Sequence, residues 1–235
     1  MIELTKNRKL AMGQSERRFS VTVPPISRDA WLECLAAMTM IGGHVETEPA
    51  LIDLLKKVAI SSEGYPASAD TPDWPSKIWR MHWARFAFLL GSFHPQNVDA
   101  GGGSRRDAER SIVMESLWSA RENGAMGRHQ DLVHMFRVPS AQQLSNFRRG
   151  FSVSKIERTH DVKRGFVTVV RDPFHSRMSC AIYDEFIVRV GGYSFNGEPL
   201  ADNHSAIVDS MDTYHKVIAA GLLITGEVSQ ENSIL

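Results

Sequence analysis

Histidine is the first residue type to weigh, because it serves as a general base and as a zinc ligand near neutral pH. The chain of 235 residues contains nine histidines. His129 and His134 are five positions apart, which places them on different faces of a helix rather than on one metal-binding face. His82 and His215 occupy matching places in similar segments, and one catalytic site seldom needs its histidine twice. The pattern therefore predicts packing or helix-start roles and no metal site.

Two short motifs resemble catalytic loops but lack essential parts. Ser152 and Lys155 have the serine-lysine spacing of penicillin-recognising enzymes, but the companion motifs are missing and the segment alternates like a strand. The glycine-rich run 101–105 lacks the lysine that a phosphate-binding loop needs. We therefore predict a protein that is not an enzyme and that binds no cofactor, with an enzyme of unrecognised type as a third alternative.

Basic side chains next to aromatic rings offer a different chemistry, the binding of a partner. Arg148 and Arg149 lie between Phe147 and Phe151, where guanidinium groups could engage phosphates and rings could stack on bases. The rings also satisfy a core pattern, and Lys plus Arg equals Asp plus Glu at 27 each, so nucleic acid is disfavoured and a protein partner is predicted. The candidate partner-binding residues are Arg148, Arg149, Lys155, Arg158, Lys163 and Arg164.

The charges are unevenly distributed along the chain. Residues 105–177 hold fourteen Lys or Arg against eight Asp or Glu, whereas residues 178–235 hold two against eight. Such polarity can steer a partner or make copies of one chain associate head to tail, and copies of the chain are therefore a second class of partner. A solvated charged face without a binding role is the alternative interpretation.

The elements that must position these residues look duplicated. His82 and His215 are 133 residues apart, and upstream landmarks repeat at a nearly constant spacing. An inserted segment in the second copy, residues 151–171, accounts for the shorter spacing further upstream and alternates like a β-hairpin. The matching landmarks are Leu51 with Ile182, Gly64-Tyr65 with Gly192-Tyr193, and the strand ending at Pro24 with the strand ending at Pro139.

This organisation predicts an α+β fold that is mainly α-helical, made of two related small helical units with short strands. Residues 182–190 could form helix or strand, and the repeat favours helix. The predicted parts are a flexible basic arm at 1–18, a first unit at 19–93, a linker at 94–130 with one helix over 105–121, a second unit at 131–226 with its hairpin insertion at 151–171, and a tail at 227–235.

The cysteines and the hydropathy indicate a cytoplasmic protein. Cys34 and Cys180 each sit inside an apolar run, which predicts reduced, buried side chains. The polar N-terminus shows no secretory signal, and no stretch is long enough to span a membrane.

The segment from Ile182 to Leu223, with Gly-Tyr, a proline-containing loop and a final helix beginning near His215-Lys216, resembles the tail assembly chaperones of long-tailed bacteriophages. The resemblance implies a non-enzymatic partner in the bacterial cytoplasm that coats the tape-measure protein and recruits tail-tube subunits. Phage tail or other virion proteins are therefore the expected partners. The alternative is an integral structural subunit of a phage particle that self-assembles through the arm and the hairpin.

Overall fold

The computed structural model describes residues 1–13, 19–41, 44–65, 73–91, 93–95, 109–116, 131–151, 156–161 and 165–231. Its strands are β1 Ile2–Glu3, β2 Arg8–Met12, β3 Phe19–Val23, β4 Thr39–Ile41, β5 His44–Glu46, β6 Ser61–Glu63, β7 Phe93–Pro95, β8 Glu109–Ser116, β9 Asp131–Arg137, β10 Ile156–Asp161, β11 Gly165–Arg171, β12 Ile187–Gly191, β13 Tyr193–Phe195 and β14 Glu198–Pro199. Its helices are α1 Arg28–Ala37, α2 Glu48–Val58, α3 Arg80–Gly91, α4 Ala141–Gly150, α5 Ser176–Phe186, α6 His204–Ser210 and α7 Thr213–Glu231, with a short 3-10 helix at Trp74–Lys77.

The fold is mixed α/β, so the prediction of a mainly α-helical protein is wrong. The described strands form four small sheets, and two of the unpredicted strands lie in segments expected to be an arm and a helix. Strand β2 pairs with β3 along its whole length, and β1 pairs in parallel with β13, so residues 1–12 are not a flexible arm. Strand β8 pairs with β9 over seven positions, which overrides the helical spacing predicted for 105–121.

Residues 8–91, the first half, and residues 109–231, the second half, repeat the same order of elements. In the first half β2, β3 and β6 form a sheet in that order, and in the second half β8, β9 and β12 do the same with β7 added at the edge. Each half places a helix and a hairpin after the second strand, then a second helix, the third strand and a last helix. The hairpin β4-β5 is short, and its counterpart β10-β11 fills most of the predicted insertion 151–171.

Several local signals in the sequence begin helices in the structure. The side chain of Ser27 accepts a hydrogen bond from the Ala30 amide and begins α1, and Ser140 and Gln143 form a capping box at α4. These side chains satisfy amides that have no partner inside the helix. Pro49 lies in the first turn of α2, where its missing N–H costs no hydrogen bond.

Some boundaries differ from the predicted ones. Residues 182–190 are divided between α5 and β12, and the single last helix expected over 205–224 is divided into α6 and α7. Trp79, predicted to belong to the core stripe of α3, is 69% exposed and precedes the helix. Helix α7 reaches Glu231, so the tail predicted at 227–235 is partly helical and otherwise lies outside the described residues. The glycines expected to end α1, Gly42 and Gly43, also lie outside them.

The two halves are joined by a sheet and by a helix contact. Strand β4 of the first half pairs with β11 of the second, which gives a sheet of order β10-β11-β4-β5. Helix α1 packs against α5 and α7, where the rings of Trp31 and Tyr214 stack with their centroids 4.9 Å apart. In the part of the chain that the structure describes, buried apolar side chains form two clusters, and Ile218 packs against both of them. Cys34 and Cys180 are buried and form no disulfide, as predicted.

Candidate functional site

The predicted partner-binding residues are only partly brought together. Arg148 and Arg149 are exposed in the last turn of α4, and Arg158 is exposed on β10. The guanidinium of Arg149 donates to Oδ1 of Asn146 at 2.6 Å on its own helix. Lys155, Lys163 and Arg164 lie outside the described residues. Of the three that the structure describes, Arg148 is the one that lines a cavity.

That cavity is an apolar groove of about 590 Å³ between the end of α4, the loop into α5 and the outer face of α7. Met178 from α5 and Ile218 and Leu222 from α7 contribute much of its apolar lining, and Phe151 bounds it beside Arg148. The volume falls within the range of sites that hold a ligand or a short peptide segment.

Gly221 keeps the groove open on the α7 side. A β-carbon built at Gly221 meets no atom within 4 Å, so the absent side chain leaves space rather than allowing a close contact. A glycine inside a helix is less favourable than alanine by about 1 kcal/mol, so its presence here calls for another reason. The open groove supplies one.

The ionisable side chains that line the groove are basic. Its lining includes Arg148 and His175, and among the lining residues there is no Asp or Glu. Arg149 and Arg177 are exposed on the same helices. An apolar ligand with negative charge at its edges would therefore find complementary groups here.

A second cavity, of about 320 Å³, is charged and balanced by its own residues. It lies where the loop before α1 meets the α6–α7 junction and is lined by Arg8, Arg28 and Lys216 among others. Arg8 lies 2.9 Å from Asp212, and Lys216 and Arg28 lie 2.6 Å and 3.8 Å from Asp184. Since each cation has a carboxylate beside it, the arrangement serves the junction between the halves.

Asp212 is the centre of that junction and explains the break between α6 and α7. Its Oδ1 accepts the Tyr214 amide at 2.9 Å, which caps α7, and its Oδ2 accepts from Arg8 and from the Trp31 indole. Burial alone would raise the pKa of Asp212, but Arg8, His215 and these hydrogen bonds hold the pKa below its usual value.

A chain of buried hydrogen bonds continues from this junction. The Tyr193 hydroxyl lies 2.8 Å from Nδ1 of His215 and 2.9 Å from Nε2 of His134, whose Nδ1 meets the Tyr183 hydroxyl at 2.9 Å. One consistent set of protons satisfies the whole chain with every member neutral. His134 and Tyr183 have no exposed surface, so no substrate reaches the chain in this conformation.

Burial sets the protonation of these groups. It lowers the pKa of His215 to about 4, an effect that Asp212 opposes and Arg8 reinforces. Burial, followed by the nearby His215, lowers the pKa of His134 well below its usual value, and burial raises the pKa values of Tyr183 and Tyr193 well above theirs. The chain therefore stays neutral at physiological pH and acts as structure.

The described residues contain no cluster of three or more His, Cys, Asp or Glu suited to a metal ion. None of the described helices combines the length and the apolar character that crossing a membrane requires.

Comparison with family models, curated proteins and solved structures gives no significant match to this chain. The sequence analysis does not predict the groove, because it identifies the last helix without assigning an exposed apolar face to it. The signal was the apolar pair Ile218 and Leu222 on either side of Gly221, on a helix whose buried face is already supplied by Val217, Ala220 and Leu223. A helix that is apolar beyond its buried face, with a glycine in the middle, indicates a surface that receives another segment.

Proposed function

We propose that this protein is a non-enzymatic assembly protein that binds other proteins, in the manner of the phage tail assembly chaperones that its sequence resembles. The carrying observation is the open apolar groove between α4, α5 and α7. Its occupant is an amphipathic helix of a partner protein, with apolar residues spaced to face the groove and acidic residues beside them. Helix-in-groove recognition of this kind reads apolar residues at positions i, i+3 or i+4, and i+7.

The charges around the groove favour that occupant over a basic or neutral one. Arg148 lies in the lining, and Arg149 and Arg177 are exposed nearby, so acidic side chains flanking the apolar stripe would be attracted as the helix approaches. The groove also has the apolar surface that a helix needs to gain free energy on burial. The assignment to phage tail proteins as partners rests on the sequence resemblance.

A labelled synthetic helix with leucines on one face and glutamates on the flanks tests the proposal by fluorescence anisotropy. We expect saturable binding that weakens with salt, and a loss of about tenfold in affinity, or about 1.4 kcal/mol, for Arg148→Glu. Arg149→Glu is the matched control, because it removes the same charge from the next residue, outside the groove lining, and should weaken binding less.

Absence of saturable binding, or equal losses for the two variants, would contradict the groove as the binding site. A peptide with lysines in place of the glutamates distinguishes recognition of charge from non-specific hydrophobic binding. It should bind more weakly than the acidic peptide, and stronger binding of the basic peptide would exclude the proposed occupant.

A second candidate function is an integral structural subunit of a phage particle, and the observation that favours it is that β5 and β10 are the edge strands of the sheet β10-β11-β4-β5 among the described residues. The arm is no longer part of this candidate, because its strands β1 and β2 pair within the chain. Purified particles distinguish the two functions: a structural subunit gives a stoichiometric band, whereas an assembly chaperone is missing from the finished particle.

A further inference from the structure

The two halves of the chain are joined through unlike edges of like hairpins. Strand β4 is the first strand of its hairpin, and β11 is the second strand of the other hairpin. They pair antiparallel, with Ile41 opposite Val169 and Thr39 opposite Arg171. A two-fold arrangement would have joined like strands, so the halves are related head to tail.

Among the described strands, a head-to-tail relation between similar halves leaves one unlike pair of edges without a partner strand. The remaining edges of the sheet are β5, the second strand of the first hairpin, and β10, the first strand of the other hairpin. Inside the chain β11, a second strand, pairs with β4, a first strand. Pairing of β5 with β10 of another copy would repeat that relation with the two halves exchanged. An edge strand presents a row of backbone donors and acceptors that can pair with another chain. Heterologous contacts that repeat in this way close into rings or continue as filaments.

The helices show the same head-to-tail relation as the strands. Inside the chain, α1 beside β4 packs on α5 and α7 of the other half, and Tyr214 is buried there against Trp31. The corresponding surfaces are α4 beside β10, and α2 with α3 beside β5. Counted from His82 and His215, Met81 stands where Tyr214 stands, yet Met81 is 60% exposed.

The exposed face of α3 extends further than this single residue. Phe88 lies two turns along the helix from Met81 and is 62% exposed, so the two side chains form an apolar stripe. Large apolar side chains that share one helix face are typical of an interaction surface. On α7 the corresponding face is covered near its start by the first half, and a second copy would cover α3 in the same way.

Some exposed charges at the two ends are opposite, whereas Arg80 and Arg85 on α3 and Glu157 on β10 do not follow this pattern. Glu46 on β5 and Glu48 at the start of α2 are exposed at one end, and Arg149 on α4 and Arg158 on β10 are exposed at the other. Opposite charges on surfaces that meet favour the correct orientation and speed their encounter.

We propose that copies of this chain associate head to tail, with β5 and α3 of one copy against β10 and α4 of the next. The β10-β11-β4-β5 sheet then continues from copy to copy, and the α3 stripe is covered as α7 is covered within the chain. The partner at this surface is a second copy, whereas the apolar groove, which borders this surface at the end of α4, is the site for a different protein.

Sedimentation equilibrium of two complementary variants tests the proposal. The α3 variant, Met81→Asp with Phe88→Asp, removes one end, and the β10 variant, Ile156→Asp with Arg158→Glu, removes the other. We expect the unmodified chain to form species larger than a dimer as its concentration rises, each variant alone to be a monomer, and an equal mixture of the two to form a one-to-one dimer. Ile60→Asp, at an exposed apolar residue on neither surface, is the control and should assemble like the unmodified chain.

Three results would overturn the proposal. The unmodified chain could remain a monomer at every concentration, which decides the matter without any variant. Either variant could still dimerise with itself, which would indicate a like-to-like interface. The mixture could remain monomeric although both variants show the circular dichroism spectrum and the melting transition of the unmodified chain.

Discussion

The pair formed by Tyr65 and His82 in the first half and the pair formed by Tyr193 and His215 in the second share one local design. In each half a glycine with positive φ, Gly64 at 83° and Gly192 at 87°, precedes the tyrosine. The tyrosine hydroxyl then meets Nδ1 of the histidine that begins the last helix, at 2.9 Å in the first half and 2.8 Å in the second.

The surroundings of the two pairs differ. Tyr65 and His82 pack with Phe19 and Trp79, and the hydrogen bond between them is only partly buried. Tyr193 and His215 are buried, and their contacts continue to His134 and to the Asp212 junction. The same tyrosine–histidine pair is therefore partly exposed in the first half, and in the second half it belongs to a buried network that reaches the junction between the halves.

The largest expected effect comes from removing Asp212, at the junction that the second pair reaches. Asp212→Ala leaves Arg8 buried without its carboxylate and removes the cap of α7, and it should lower the free energy of unfolding by about 3–5 kcal/mol. Trp79→Ala changes the corresponding position of the first half, which is exposed, and should cost far less. Urea denaturation measures both, and equal losses would mean that the junction contributes nothing special.

Acid should destabilise the protein through the second pair. The unfolded chain protonates histidine below about pH 6.5, whereas burial lowers the pKa of His215 to about 4 and that of His134 further below its usual value. Stability is therefore complete above pH 6.5 and falls as the pH decreases toward 4, by about 1.4 kcal/mol per pH unit for each histidine. Denaturation curves across this range should show a smaller slope in His215→Gln. An unchanged slope would place the titration elsewhere.

Removing one hydroxyl from each pair tests the difference in extension. Tyr193→Phe removes the hydroxyl that meets both His134 and His215 in the buried chain and should cost about 1–3 kcal/mol. Tyr65→Phe removes a single, partly exposed hydrogen bond and should cost about 0.5–1.5 kcal/mol. The difference between the two midpoints in urea is the result of interest, and a larger loss for Tyr65→Phe would reverse the account.

The smallest difference between the two halves is expected for the glycines that precede the tyrosines. Gly64→Ala and Gly192→Ala each force a side chain into the left-handed region and should cost about 1–2 kcal/mol. Thermal melting of the two variants checks whether the motif is equally strained in each half. A loss in one variant alone would show that the shared glycine serves different purposes.

The sequence was informative wherever a signal was local. The N-cap serines, the hairpin and the Gly-Tyr landmarks could be recognised because each depends on residues within a few positions of one another. The strand β2 could not be recognised in this way, because Arg8 is a basic residue in a polar segment and its partner Asp212 lies 204 positions away. The strand β8 was misassigned because Ile112 and Val113 fit a helical spacing, and only pairing with β9 decides between the two.

The candidate site was likewise predictable only where the signal was local in sequence. Arg148 and Arg149 were identified from their position beside aromatic rings, whereas the groove depends on α4, α5 and α7 meeting in space. Gly221 gave no sign of its role in sequence, because the space above it is created by elements distant along the chain.

The most direct test of the proposed function is to fill the groove and leave the rest of the chain unchanged. Gly221→Trp places an indole in the open space, and Gly221→Ala adds only a methyl group that meets no atom within 4 Å. Titration calorimetry with the acidic amphipathic helix should show binding to the unmodified chain and to the alanine variant, and none to the tryptophan variant. Undiminished binding to Gly221→Trp would contradict the groove as the place where this protein holds its partner.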